Sequence, residues 1–490
     1  MRRFFLTIVL LAASLAPVVA QESVRLDLDR TLQLAKDSSL VVRRYLSEYD
    51  ISRYNYLSWK ASRLPQFMLE STPLQFERYM TRRYVSEQDV DIYREQKYIY
   101  SEAGITARQA VAPLGGEFYV TSQMGYMRTF GDTGQNQFMS IPISMGYKQD
   151  LIFFNPLKWE KLIANLELTR AEKELAYNIE TTNEDAVGRF FTLALAEDQL
   201  VMCEEYLASC DTIFAIAERR YRISSISKAE LSILELEKVN AENMLANARI
   251  ARGKAARELA TILNLDPSDN IEVVLPDVPG ELFIDSEQAV MYARKNNPKY
   301  VALELAGTEA RKAEAKARVE KNLNLGADVS VGYNQVSTKI NEVYRNLLPQ
   351  DQVSLSLNVP IMDWGKRRNA WLAARSKVDA LDRTKAQTER ELEQDVMLTV
   401  DAFNERKAMV DNSRQALELA EDAYTQTLRR FMMAQADVYD LSLAQTHWQN
   451  ARQNLIASMQ NYWVTYYHLR SLTLFDFRLQ QPIVYDRVEE

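Results

Sequence analysis

Glycine and proline are scarce in this chain of 490 residues, 14 and 13 in all, and both are absent from Lys366 to Gln481, a run of 116 residues. Average usage would place roughly a dozen of them there. Their absence, among abundant Ala, Leu, Gln, Glu, Lys and Arg, predicts unusually long helix. One internal break is expected, at Arg430-Phe-Met-Met-Ala-Gln-Ala-Asp437, because Asp437 is an N-cap candidate with the carboxylate of Asp440 three positions on. The run therefore reads as a helix from Lys366 to Met432, a tight turn, and a shorter helix coming back. At about 1.5 Å per residue the first of these spans about 100 Å, too tall for an ordinary globular domain.

Histidine and cysteine are rarer still, two of each. Neither His447 nor His468 has a cysteine, histidine or carboxylate cluster at ligand spacing, so no metal site is nominated. Cys203 and Cys210 lie seven residues apart in helical text, roughly 10 Å along the axis, too far for a disulfide. They are expected as small apolar packing residues. No nucleophile stands with a base and no Gly-rich phosphate loop is present, so no catalytic residue and no cofactor is nominated. A paired-carboxylate hydrolase is the enzyme alternative, set against acids spread along helix faces at solvated i, i+4 spacing. The net charge of -8 argues against nucleic acid as a partner.

Long apolar runs are missing outside the N-terminus. There, Arg2 and Arg3, an apolar Phe4 to Leu15 and Pro17-Val-Val-Ala20 read as a secretory signal over residues 1–20, with no Cys after Ala20 to carry a lipid. The mature chain is expected outside the cytoplasm. With no other stretch near the roughly 18 to 20 apolar residues of a spanning helix, any membrane crossing must be a β-barrel.

The remaining text divides into two similar halves. A first repeat, 21–266, opens with a helix from Asp27 to about Leu64, followed by strand candidates within 66–150 (Gln66 to Tyr79, Ser101 to Ala112, Glu117 to Arg128, Gln137 to Tyr147) with 80–100 unassigned. A long helical hairpin then fills 156–266, broken at Tyr221 to Ser227 and restarted by the capping box Ser227-Lys-Ala-Glu230. After a linker, 267–284, the order recurs over 285–476: a helix capped by Asp285, strands at 322–334 and 351–360, and a hairpin at 366–476, with a tail at 477–490. A shift of 210 residues aligns Arg220 with Arg430, Leu231-Ser232 with Leu441-Ser442, Asn240-Ala241 with Asn450-Ala451, Leu259 with Leu469 and Asp266 with Asp476. Two shorter helices laid end to end match one long one, which would put the linker and tail at mid-height as a belt.

In Leu323 to Tyr333 and Val353 to Val359 apolar and polar residues alternate strictly, giving a sheet with one apolar and one polar face. A half-buried soluble sheet would alternate in the same way. Aromatics at the strand–helix junctions, Phe153, Phe154, Trp159, Trp364 and Trp371, fit an interfacial girdle of a membrane barrel. Both a membrane duct and a soluble periplasmic coiled-coil adaptor or tether stay open on this reading.

The two-copy order, the passage Val359-Pro-Ile-Met-Asp-Trp-Gly-Lys-Arg-Arg368, the turn from Arg430 to Leu441 and the closing Leu474-Phe-Asp476 together resemble the TolC-like outer-membrane efflux proteins. The resemblance covers essentially the whole mature chain. It implies a mixed α and β fold: long antiparallel α-helical coiled-coil hairpins, and four β-strands per chain shared in a homotrimeric, twelve-stranded transmembrane barrel. It implies an outer-membrane exit duct that passes substrates passively when docked on a periplasmic adaptor and an inner-membrane pump of RND or ABC type. By position, the family's mouth constriction maps to Asp440, Leu443, Asp437 and, in the first half, Glu230. The adaptor-contacting turns map to Ile223, Ser224 and Ser225 and to Met433, Ala434 and Gln435. The family's latch residues, a Tyr and an Arg, fall on Phe431 and Ala436, so any latch here must be built differently. Plain helix capping would also account for Asp437, Asp440, Ser227 and Glu230.

Overall fold

The computed structural model describes residues 24–485 apart from 86–88, 132–133, 225, 267–269, 281, 434 and 437. The expected signal at 1–20, and Ser225, Ala434 and Asp437 of the expected tips, lie outside the described residues. Two compact units are present. One, here the helical unit, comprises the chain up to Tyr49, Lys173–Asn297 and the chain from Glu391 on. The other, the sheet unit, comprises Asp50–Glu172 and Pro298–Arg390.

Eight helices carry most of the described chain: α1 (Leu28–Asp37), α2 (Leu40–Ala61), α3 (Pro156–Arg222), α4 (Lys228–Leu263), α5 (Ser286–Asn296), α6 (Pro298–Asn322), α7 (Lys366–Met432) and α8 (Val438–Thr473). Helices α3 and α7 each have 67 residues and α4 and α8 each have 36, every pair offset by 210 positions. The ends follow local chemistry. Asp27 caps α1 by accepting from the Arg30 N–H, and Asp285 caps α5 by accepting from that of Gln288. Ser227 and Glu230 form a full capping box on α4, whose other end closes on Asn264 in the left-handed region.

The opening helix expected over Asp27 to Leu64 is two helices, as is the one expected from Asp285 to Lys321. In the first, Ser38 and Ser39 interrupt the ladder, with the Val41 N–H turning to Ser39 Oγ at 3.3 Å. In the second, Asn297 precedes Pro298 and is driven to extended backbone, which ends α5. That break has a use. The side-chain amides of Asn296 and Asn297 donate to the Thr473 and Leu472 carbonyls, 3.1 and 2.9 Å, satisfying two orphan acceptors at the end of α8.

The helical unit has a continuous apolar core. Ala186 and Phe190 on α3, Leu259 and Leu263 on α4, Phe403 on α7, and Tyr462 and Tyr466 on α8 are buried together, mostly at the i, i+4 spacing that brings residues to one helix face. Short strand β1 (Val24–Leu26) pairs in parallel with β6 (Ile271–Val273) of the linker, and Ile271 and Ile284 are buried in the same core. Cys203 and Cys210 are free and buried, and burial pushes the Cys210 thiol up.

The sheet unit holds one antiparallel sheet in the order β2-β3-β4-β5-β7-β8, formed by Gln66–Val85, Val90–Val111, Gly116–Phe130, Asn136–Gln149, Asn324–Ser337 and Leu348–Asn358. This corrects the expected four strands to six, with four from the first half of the chain and two from the second. It also assigns 80–85 and 90–100 to strand, where charge masks the strand signal. Arg78 with Glu95, Arg82 with Asp91 and Lys97 with Glu95 satisfy one another along the β2–β3 ladder, so charged residues continue the strands.

Candidate functional site

Both helical tips are compact turns. At the first, the Ser224 N–H bonds back to the Tyr221 carbonyl at 2.8 Å, with Ser224 at φ +57°, and Ile223 stands out exposed. At the second, the Gln435 N–H closes on the Arg430 carbonyl at 2.8 Å while the Arg430 guanidinium donates to the Gln435 carbonyl at 3.2 Å. Met432, Met433 and Tyr439 are exposed there, and Leu443 is exposed one turn further on. Asp440 lies exposed in the first turn of α8, where a carboxylate suits the positive end of the helix. Glu230 is committed to its cap: its carboxylate accepts from the Ser227 N–H at 2.7 Å, and that bond holds it below the usual carboxylate range. The capping reading is thus realised for Ser227 and Glu230.

The sheet has two chemically opposite faces, fixed by register. On one face Arg108 reaches Glu70 and Glu117, and Tyr100 and Gln123 both donate to Glu102. Tyr119 lies across Gly146, where any Cβ would collide with its ring, and its hydroxyl donates to Asp328 at 2.9 Å. The opposite face carries Phe67, Leu69, Phe76, Ile105, Val331 and Leu355, all exposed, with Val353 at 78%. From Phe67 to Phe76 this apolar stretch is about 30 Å along the strand, or about 23 Å in height at a barrel tilt of roughly 40°, close to the apolar band of a membrane barrel. Beyond Phe76 and Ile99 the same face turns charged, with Arg78, Arg82, Asp91, Glu95 and Lys97 in ion pairs. At the other end the junction into α7 displays Ile361, 99% exposed, and Trp364, 89% exposed. Asp363 holds that junction, accepting from the Gly365 and Arg367 N–H groups at 2.9 and 3.1 Å. Trp371 is fixed differently, donating to Glu314 at 2.8 Å beneath Lys321.

A third constellation escapes sequence reasoning. Glu180 on α3 is fully buried and takes Arg470 of α8 in a two-point ion pair, Nε–Oε2 2.9 Å and Nη2–Oε1 3.1 Å. Arg470 also meets Asp476, 2.9 Å, and Tyr485 of the tail donates to Glu180. Asp476 further accepts from the Tyr466 hydroxyl, 2.8 Å, and from the Arg478 and Leu479 N–H groups, 2.9 and 3.0 Å. Burial works against its charge, but these N–H groups, Arg470 and Tyr466 hold Asp476 below the usual carboxylate range. Nearby, Glu184 lies 3.2 Å from the Nδ1 of His468. Only the motif Leu474-Phe-Asp476 signalled this region in the sequence. Its partners on α3 are some 290 residues away, beyond any local pattern. Among the described residues no helix is long and apolar enough to cross a membrane, and no group of three metal-ligating side chains converges.

Comparison with known proteins gives this geometry a context. Residues 290–473 match the family model of outer membrane efflux proteins. The fold is similar to that of the Campylobacter jejuni CmeC outer membrane channel, with TM-score 0.67 at 12% identity over 94% of this chain and 87% of that one. It is similar also to VceC from Vibrio cholerae, TM-score 0.63 at 12% identity over 93% and 96%. For the open state of the Neisseria gonorrhoeae MtrE channel the TM-score is 0.57 at 14% identity over 91% and 88%. Among curated proteins none matches. Residues 290–473 thus carry an outer membrane efflux protein domain, and the chain has the fold of the outer membrane channels it resembles.

Proposed function

We propose that three copies of this chain close one barrel in outer-membrane lipid and one helical tunnel in the periplasm, and that the tunnel docks on a periplasmic adaptor and an inner-membrane pump. The observation that carries this reading is the six-stranded sheet, with an exposed apolar face about as tall as the membrane and an unpaired edge on each side. A single sheet of this size encloses no lumen, and its apolar face excludes a soluble tether as the economical reading. Fractionation tests it: a heat-modifiable trimer in detergent extracts of outer membranes is the expected result, and release of the protein by osmotic shock would end the proposal.

Within that duct the exposed tips, Ile223 and Ser224 on one hairpin and Met433 and Gln435 on the other, are the adaptor-facing surface, together with Ser225, next in sequence after Ser224, and Ala434, between Met433 and Gln435. Asp440 and Leu443, with Asp437 and Glu230, belong to the periplasmic mouth. Threefold symmetry would bring the Asp440 carboxylates near one another and favour cations there. The expected outcome for Asp440→Asn is raised conductance or lowered cation selectivity in planar bilayers, and an unchanged current–voltage curve removes Asp440 from the constriction. The linker 267–284 and the tail from 477 form the belt, which the buried Ile271 and the Tyr485–Glu180 contact support.

A further inference from the structure

We infer that β8 of one copy pairs antiparallel with β2 of the next, so that each copy gives six strands to the wall and a trimer closes an eighteen-stranded barrel, wider than four strands per copy would build. The inference rests on the three-copy reading above, and the strand count extends it.

The extra hairpin, β3 and β4, is wall and not a flap at the distal end. Its turn returns to the helix junction: the Asn155 amide, one residue before α3, donates to the Ala112 carbonyl at 2.8 Å. Both strands pair along their length, β3 with β2 and β4, and β4 with β5. Both also carry the two-faced pattern of the rest of the sheet. Arg108 and Tyr119 lie on the polar face, Ile105 and Phe118 on the apolar one. A hairpin folded outside the barrel would have no use for a face suited to lipid backed by a face suited to water.

Strand direction then fixes how copies join. β2 leaves the helix junction after α2 and β8 returns to it before α7, with alternating directions between them. β8 of one copy and β2 of the next therefore run oppositely, and the ring closes as one antiparallel sheet. The 11 residues of β8 match the length of the apolar half of β2, Gln66 to Phe76. Pro73 sits at the β2 bulge between Thr72 and Gln75, and Pro349 next to the start of β8, positions where a missing ladder donor is tolerated.

Width follows from strand number. At about 4.8 Å between strands and a tilt of roughly 40°, eighteen strands enclose a backbone diameter of about 36 Å, against about 24 Å for twelve. The cross-section about doubles, and it is lined by carboxylates, tyrosines and glutamines. The cargo it suits is large, polar and hydrated, in a passage as broad as that of the water-filled porins.

Electron microscopy of the full-length protein in lipid nanodiscs tests this directly. Eighteen strands around a threefold ring is the expected result. Removing residues 86–133 excises β3 and β4 and leaves β2 to pair with β5, and the ring should then shrink in circumference by about one third. A wild-type ring of twelve strands with β3 and β4 outside it overturns the inference and leaves the duct reading intact. A protein that is not trimeric overturns the three-copy reading instead, and edge pairing is then judged by cross-linking. In a Cys203→Ala, Cys210→Ala background, Ser354→Cys combined in turn with Met68→Cys, Glu70→Cys or Thr72→Cys should give covalent oligomers in at least one pair, and none in all three sinks the pairing.

Discussion

The helical unit and the sheet unit place their large apolar side chains oppositely. In the helical unit Phe190, Phe191, Phe403, Tyr462 and Tyr466 are sealed within one copy of the chain. In the sheet unit Phe67, Leu69, Phe76, Val353, Leu355 and Trp364 face outward, and few of the buried apolar residues belong to it. The first arrangement meets the usual demand of water, that apolar surface be covered by the chain itself. The second is tolerable only if something else covers that surface, a role that the proposed assembly gives to lipid for the apolar face and to neighbouring copies for the edges. One chain thus contains a region that can be stable alone and a region that is stable only in its assembly.

The largest expected effect lies in the self-contained region. Arg470→Ala strands the fully buried Glu180 without its cation, and breaking such a pair costs about 3–5 kcal/mol. Urea unfolding of the detergent-extracted protein, followed through Trp463 fluorescence, should show that loss. The pair Glu180→Leu with Arg470→Met should recover most of it, because no buried charge is left. Equal loss in single and double variants would mean that the aromatic packing around Arg470, and not the charge, sets the stability.

A second substitution pair probes the outward-facing region. Leu355→Arg places a cation on the apolar face, which in a membrane barrel costs about 2–4 kcal/mol near the midplane. Ser354→Arg, next in sequence but on the polar face, should cost far less. The difference should appear in refolding into lipid vesicles. If both substitutions are equally mild, the apolar face does not meet lipid and the contrast between the two regions fails.

How far the sequence revealed these regions depended on whether the signal was local. The long helices announce themselves through missing Gly and Pro, and the Ser227–Glu230 box through its spacing, because both are properties of a few neighbouring residues. The breaks at Ser38-Ser39 and Asn297-Pro298 were also local, yet apolar periodicity continues across them and hid them. The halves of β2 and β3 beyond Tyr79 and before Ser101 were obscured because the residues that should alternate are charged, and only the ladder shows that Arg78 and Glu95 satisfy each other. Glu180 was invisible as a site, since a glutamate in helical text has no mark that its partner, Arg470, lies in the last helix. The expected mouth and tip residues were placed by resemblance. Of them the structure commits Glu230 to a helix cap, and uses Ser224 and Gln435 to close their turns.

Acid should separate the regions more gently. The Asp476 carboxyl sits below its ordinary value in the folded protein, so its contribution is complete above the unfolded value of about 3.9 and is lost as pH falls through the folded one. Trp463, in cation–π contact with Arg478 of the same tail, should therefore report a change only below about pH 4. Asp476→Asn should be less stable at neutral pH and flatter in the acid range. A transition centred near pH 6 would assign the response to another group.

The smallest expected effect lies at the first tip, where neither a core nor a lipid-covered face is at stake. Ser227→Ala removes the hydroxyl that accepts from the Glu230 N–H at 3.2 Å, leaving the Glu230 carboxylate to hold the Ser227 N–H alone. The loss of one cap acceptor should speed amide exchange in the first turn of α4 by roughly fivefold, with global unfolding unchanged. Restoration by Ser227→Asp, which keeps an acceptor at the cap, would confirm that the hydroxyl acts as a cap. If Ser227→Ala instead abolishes export while first-turn exchange stays as in the wild type, the tip residue contacts a partner, and the first hairpin would join the sheet as a region defined by its assembly.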